Sequence, residues 1–496
     1  MPETGPRRIR RPGDRVVRRR VEAQQVMELP PPPQRREPPT IQSNAKRFAL
    51  AYTVLVLVGA ILLSTPLATE SDRGTPFVDS LFTAISATAV TGLVTVDTQD
   101  HWNLLGELVI LLLIQAGGMG FMVGASVVLL TIRRSSSLRG SLIMRDGAPT
   151  ISLQEARTLS KRILVFMLVT EAIGAVILAV DFYPDSRSVF HAAWYGIFHS
   201  VSAFCNAGFD LQGEFDSLYG LRDDLLVDIT IMSLIQMGAL SFIFFADLWD
   251  KRRLLNWRRP QLRRYWQQLS VDTKLIFITN YALVVIGAVA FATVEWDTAL
   301  AYISEPHNRV MASIFQSVSA RTAGFATIDF SDAHSGTLFI WIGLMMIGGA
   351  SASTAGGIKL ATFAVVVLAI IATIQGRPEP QFGGRRIATS LVYRAMTIIA
   401  LFLMAHFSLT LALVLTEDLI GHHDFSFLAL MFETMSGLAT VGVSTGITPE
   451  LTTLGKLVLC VTMFIGRLGP LTAVYALQRR EVRQTYTYPE AWVRMG

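Results

Sequence analysis

The sequence predicts an all-α polytopic membrane protein: four pseudo-symmetric repeats of helix, re-entrant pore helix, filter loop and helix around a central pore, with eight spanning helices. Three observations carry that prediction: a composition suited to lipid, eight long apolar runs, and a short glycine-ended segment that recurs at near-constant spacing. Hydrophobic residues make up 51% of the 496 and charged residues only 16%, well below the roughly 25% charged share of a soluble domain. The apolar residues gather in runs separated by polar connectors, which is the spacing of membrane spans rather than of soluble cores.

The chain opens on a basic, proline-rich segment, expected over 1–46 as a disordered cytosolic tail. It holds Arg7, Arg8, Arg10, Arg11, Arg15, Arg18, Arg19 and Arg20, then the run Pro30 to Pro33. With a span following directly, such a tail fixes topology or touches anionic lipid; nucleic-acid binding is the lesser reading. The first apolar stretch begins near Phe48, too deep for a cleavable signal peptide.

Apolar runs able to cross a bilayer, which takes about 20 residues, begin near Phe48, Asn103, Lys161, Leu225, Val271, Thr337, Leu391 and Thr453. Shorter, more polar stretches separate them at Phe77 to Val90, Phe190 to Asn206, Asn308 to Thr322 and Asp424 to Thr440. Those are too short to span, so they read as re-entrant helices whose irregular ends must be buried in protein or line a wet cavity. Repeats are expected over 47–132, 158–250, 270–376 and 390–480, with a cytosolic tail over 481–496.

Charge sets the orientation. The loops after the second, fourth and sixth runs carry Arg133, Arg134, Arg139 and Arg145, then Lys251 to Arg253 with Arg258, Arg259, Arg263 and Arg264, then Arg377, Arg385 and Arg386. The positive-inside rule makes these cytosolic, and both termini with them. The opposite side is acidic, including Asp72, Asp97, Asp210, Glu214, Asp216, Glu295, Asp329, Asp332 and Glu417. Such a rim either concentrates cations or is simply a solvated surface.

The four short segments align as Ser86-Ala-Thr-Ala-Val90-Thr91-Gly92-Leu93, Ser202-Ala-Phe-Cys-Asn206-Ala207-Gly208-Phe209, Ser319-Ala-Arg-Thr322-Ala323-Gly324-Phe325 and Ser436-Gly-Leu-Ala-Thr440-Val441-Gly442-Val443. Their glycines are 116, 116 and 118 residues apart, which marks an internal repeat. One such glycine alone would be a helix cap or a close helix contact; four in register, each behind a Ser-Ala or Ser-Gly pair, point to a shared pore. A dehydrated monovalent cation needs replacement oxygens, and backbone carbonyls from four converging loops supply them. No flanking residue is acidic, which disfavours a carboxylate site for divalent ions. The C-terminal ends of the short helices add partial negative charge at the same centre.

Two features break the repeat. The sixth apolar run, Thr337 to about Ile374, would reach about 57 Å as one helix. Its middle reads Gly348, Gly349, Ala350, Ser351, Ala352, Ser353, Thr354, Ala355, Gly356, Gly357, Ile358, Lys359. A broken helix is expected there, its loop acting as an intracellular gate with Lys359 repelling ions; tight packing of small residues is the alternative. Arg467, inside the last run, either faces the cation path and lowers ion occupancy or snorkels to the cytosolic surface. Arg321 is expected to tie the third loop to its scaffold.

With these residues in view, the chain resembles the Trk/Ktr/HKT superfamily of potassium transporters, most nearly the bacterial KtrB-type membrane subunit. The resemblance spans about residues 45 to 496. It rests on Val90 to Leu93, Phe198 to Asp210, Ser319 to Asp329, the Gly348 to Lys359 run, Gly466-Arg467 and Tyr488-Pro-Glu490. It implies potassium uptake across the bacterial plasma membrane, with K⁺ held at the carbonyls of the four filter loops. It implies no other cofactor on this chain than K⁺ or Na⁺, a gate at Gly348 to Gly357, and a pore-facing Arg467. It also implies a homodimer seated on a cytosolic KtrA-type regulatory ring, which binds the nucleotide. The basic extension before Asn44 and Gly437, where the other loops carry alanine, depart from that pattern. A sodium-coupled, alternating-access symporter is the alternative mechanism. An enzyme would need convergent catalytic groups, whereas His191, His199 and His406 stand apart and His422 and His423 share an outer loop. Cys205 and Cys460 read as small buried hydrophobes.

Overall fold

The computed structural model describes residues 41–71, 73–135, 153–186, 188–252, 262–421 and 424–477. The basic tail, Asp72, Arg139, Arg145, Arg253, Arg258, Arg259, His422, His423 and the Tyr488 to Glu490 motif lie outside the described residues.

The principal helices are α1 (Ile41–Leu63), α2 (Phe77–Ala89), α3 (Leu104–Ser135), α4 (Leu153–Ser186), α5 (Val189–Cys205), α6 (Leu225–Ala239) and α7 (Phe242–Asp250). There follow α8 (Val271–Glu295), α9 (Pro306–Ser319), α10 (Ser335–Met346), α11 (Leu360–Ile374), α12 (Thr389–Thr416), α13 (Phe427–Ala439) and α14 (Thr453–Leu477). A two-residue hairpin, Gln381–Phe382 against Arg385–Arg386, is the one strand pairing among the described residues of this helical fold.

Local chemistry accounts for the helix starts. The side chains of Asp224, Ser270 and Ser426 accept hydrogen bonds from first-turn amides of α6, α8 and α13, satisfying donors that a helix otherwise leaves orphaned. Pro306 opens α9, where its missing N–H costs nothing.

Among the described residues, α3, α4, α8 and α12 contain helices long and apolar enough to span, and the bent pair α6 and α7 makes a fifth. The other three expected spans correspond to α1, the interrupted pair α10 and α11, and α14. The break between Met346 and Leu360 falls where the small-residue run predicts it. The sharp bend of 91° between α6 and α7 was not expected. It has a partner: Gly238 and Ala239 carbonyls, released from the helix ladder, accept from the Thr354 and Ala350 amides of the interrupting loop, at 3.3 and 2.8 Å. The bend and the break therefore satisfy each other's backbone.

The core runs around the molecule rather than sitting within one repeat. One cluster joins α1 to α6 and reaches Phe315 and Phe325. A second joins α8 to α13 and takes in Leu240 and Phe244. A third closes the circuit, packing Tyr52, Phe82 and Ile85 against Leu413, Leu459 and Met463.

Candidate ion-translocation site

α2, α5 and α13 each end in a left-handed cap: Val90, Asn206 and Thr440 have φ of 58°, 61° and 52°. In the third loop Thr322 takes the same role at φ 73°. Valine and threonine rarely adopt this region, and each such residue costs on the order of 1–3 kcal/mol. Backbone bonds hold it: Val90, Asn206 and Thr440 donate to the carbonyls three residues earlier, and Thr91, Ala207 and Val441 to the carbonyls of Ser86, Ser202 and Ser436.

The serines expected from the alignment anchor the loops. Ser86 and Ser436 accept from the Gly92 and Gly442 amides at 3.1 and 3.0 Å. Ser202 donates to the Phe209 carbonyl at 2.6 Å, and Ser319 to that of Phe325.

The four glycines close a ring. A methyl group built on Gly92 would meet the Ala207 carbonyl oxygen at 2.5 Å, and one on Gly208 the Gly324 Cα at 2.7 Å. On Gly324 it would meet the Val441 carbonyl oxygen at 2.7 Å, and on Gly442 it would overlap the Thr91 carbonyl oxygen. Each glycine, at φ of 97°, 69°, 85° and 98°, thus touches the next loop's backbone, and only a residue without Cβ fits both the torsion and the space. Thr91, Ala207, Ala323 and Val441 bring their backbone to the same ring. All four are buried, with Val90, Leu93, Asn206, Phe209, Thr322, Phe325, Thr440 and Val443.

Above the ring opens a cavity of about 760 Å³ reaching all four glycines. Asp97, Asp210, Glu214, Asp216, Asp329, Asp332 and Glu450 line it, and no lining residue is basic. Most of these acids belong to the rim expected from the sequence. Glu295 and Glu417, counted with that rim, are instead fully buried: Glu295 accepts from the His334 amide at 2.9 Å, and Glu417 from the Thr452 hydroxyl at 2.8 Å.

Below the ring, Ala352 to Ile358 are buried. Ile347 and Ile358 pair as a parallel bridge, which brings the two ends of the loop together. The Thr354 hydroxyl donates to the Asn206 side chain at 2.9 Å, and a methyl on Gly356 would overlap the Ala439 carbonyl. The loop is therefore wedged against the ends of two short helices. Arg467 is 1% exposed, so it does not snorkel. It donates to the Thr354 carbonyl at 2.6 Å and to that of Gly117 at 3.1 Å, bridging the loop to α3. Lys359 folds back onto the Ala355 and Gly356 carbonyls. Arg321 donates to the Asn280 carbonyl and side chain at 3.1 and 2.6 Å.

The profile of the TrkH family, described as a cation transport protein, matches residues 34–482. The chain belongs to the TrkH cation transport family. It is 36% identical to Ktr system potassium uptake protein B of Vibrio alginolyticus, over 90% of this chain and 94% of that one. It is 34% identical to the Bacillus subtilis protein of the same name, over 90% and 96%. Potassium/sodium uptake protein NtpJ of Enterococcus hirae is 32% identical over 92% and 97%. The structure of the potassium transporter TrkH from Vibrio parahaemolyticus shares the fold, with a TM-score of 0.66 at 18% identity, covering 88% of this chain and 85% of that one. Membership of a transport family answers the enzyme reading, and the Ktr-type relatives place the chain on the KtrB side of the superfamily.

Sequence reasoning gave no packing role to three glycines outside the ring, although Gly466 stood in one of its motifs. Gly117, Gly238 and Gly466 lie so close to the Thr88, Phe204 and Leu438 carbonyls that any Cβ would overlap them. They let α3, α6 and α14 approach the ends of the short helices, and their signal was a glycine inside an otherwise apolar helix.

Proposed function

We propose that this chain takes up potassium ions across a bacterial plasma membrane through the four-loop ring, with both termini cytosolic. The single observation that carries this reading is the closed ring of Gly92, Gly208, Gly324 and Gly442 beneath an acidic cavity. Backbone oxygens there replace the hydration shell of a monovalent cation, while seven carboxylates raise the local cation concentration at the mouth. The names of the Ktr relatives support potassium as the ion. The loop from Gly348 to Gly357 acts as the gate, with Arg467 as its latch.

The same relatives support a multi-component assembly. In this proposal two copies of the chain, each with its own ring, sit on a KtrA-type cytosolic ring that binds the regulatory nucleotide. The name of the Enterococcus hirae relative pairs sodium with potassium. That favours a role for sodium as well, and fluxes measured with and without sodium separate a coupled carrier from an uncoupled path.

Rescue of potassium-uptake-deficient cells at low external potassium tests the reading. The intact chain restores growth and Gly92→Ser does not, because a seryl Cβ meets the Ala207 carbonyl and resists φ of 97°. Failure of the intact chain to rescue, at normal expression, refutes it.

A further inference from the structure

Behind the ring lies a second set of side chains at equivalent places. Three residues before each anchoring serine stand Thr83, His199, Gln316 and Glu433, and three residues after each ring glycine stand Thr95, Leu211, Thr327 and Thr445. In three repeats these two positions are joined across the mouth of the loop. His199 Nε2 accepts from the Leu211 amide at 3.3 Å; its Nδ1 faces the Tyr195 carbonyl at 2.9 Å and must donate there, which leaves Nε2 as the acceptor. Gln316 Nε2 donates to the Thr327 hydroxyl at 3.0 Å. Glu433 Oε1 accepts from the Thr445 amide at 2.8 Å, the Thr445 hydroxyl at 3.2 Å and the Ser444 hydroxyl at 2.7 Å, and Oε2 accepts from Thr448 at 2.7 Å.

The first repeat has no such link. Thr83 and Thr95 are both buried, and neither hydroxyl has a hydrogen-bond partner. An imidazole, an amide and a carboxylate thus make the same connection in three loops, and a pair of short hydroxyls leaves it unmade in the fourth. Filling of core space does not explain that agreement, because the three side chains differ in shape, charge and hydrogen-bonding direction.

We propose that His199, Gln316 and Glu433 are positioning residues that hold the rising limb of each loop at a set distance from its helix and so determine ion specificity, and that the first loop is the unbraced quarter of the ring. The inference rests on the ring being the cation filter. A ring selects by holding its oxygens at one spacing against the pull of a smaller ion, so stiffness in the rising limbs is discrimination between ions. Glu433 contributes most. It takes four donors, more than either of the others; a glutamine keeps one oxygen for the Ser444 and Thr445 groups but turns its N–H₂ toward the Thr448 hydroxyl and loses the charge that strengthens all of these bonds.

Purified variants in proteoliposomes, scored by the ratio of potassium to sodium flux, test this. Glu433→Gln lowers the ratio about tenfold, the size of a lost buried charge-assisted hydrogen bond. Gln316→Thr, which copies the Thr83 and Thr95 pair into the third repeat, lowers it about threefold. Gln316→Glu, which still bonds the Thr327 hydroxyl, keeps the ratio. A merely structural role would reduce both fluxes together and leave the ratio alone. If Glu433→Gln does not fold, Thr448→Val removes one of its four donors and is read with Gln316→Thr; an unchanged ratio in both overturns the inference. Intact protein that carries no potassium, or does not prefer it to sodium, refutes the filter reading instead.

Discussion

Asp210 follows Phe209 in the loop above α5, outside the spanning helices, with its side chain partly buried on the cavity wall. Burial pushes its carboxyl up from an ordinary 3.8 to about 7; the Gln212 amide, donating at 3.2 Å, opposes the shift, and nearby Asp97 adds to it. Between those two values the folded chain holds a proton that the unfolded chain has released. The stability this gives is present below about pH 4 and lost as pH rises to 7. Function moves the other way: raising pH from 6 to 8 uncovers a negative charge just above the ring, which favours cation entry. Uptake at sub-saturating potassium should therefore rise across pH 7 through a lower KM, and Asp210→Asn should flatten that rise. A pH profile identical in the variant and the intact chain refutes the assignment. Gly437 is the opposite kind of residue: a methyl there would touch Thr462 at 3.4 Å and Met463 at 3.6 Å, ordinary contacts, so its departure from the alanine of the other loops carries no packing requirement.

At the scale of elements, the loop between α10 and α11 and the bend between α6 and α7 form one device that spans two repeats. The loop was legible in the sequence because glycine and small residues interrupt an apolar run too long for one helix. Its partners were not. The Ala350 to Ala239 bond, the Thr354 to Asn206 bond and the Arg467 to Thr354 bond join residues more than 100 positions apart, and such pairing leaves no periodic trace. Ser241, at φ 71°, is an ordinary residue in sequence and becomes the bend only because the loop's amides draw two carbonyls out of the ladder. The ring glycines were legible for the converse reason: the repeat writes the same torsional need four times. The brace behind them was not, because His, Gln and Glu share no obvious likeness until their partners are seen. If Arg467 latches the loop, Arg467→Gln should raise potassium flux about tenfold, the shift expected from losing a charge-assisted bond. Removing Gly348 to Gly357 should raise it further, since Ile347 and Ile358 already lie side by side and can be rejoined. Unchanged flux in both, with normal folding, means that the loop does not obstruct the path.

The whole molecule is held as a circuit. Each hydrophobic cluster joins neighbouring repeats, and all four loops converge at the ring, where strained torsions and converging carbonyls oppose closure. If the ring holds a cation, as proposed, the ion removes that repulsion and ties all four repeats at one point. Potassium should then stabilise the folded state by mass action, by about 2.7 kcal/mol at a hundred times its dissociation constant. Thermal unfolding in detergent reads this directly: the melting temperature should climb with potassium against a large organic cation at equal ionic strength, and climb less with sodium. Gly92→Ser breaks the circuit at its ring while leaving the clusters intact, so it should keep most of the base stability and lose the potassium-dependent rise. A melting temperature indifferent to potassium in the intact chain would mean that the ring holds no cation and that the clusters alone keep the four repeats together.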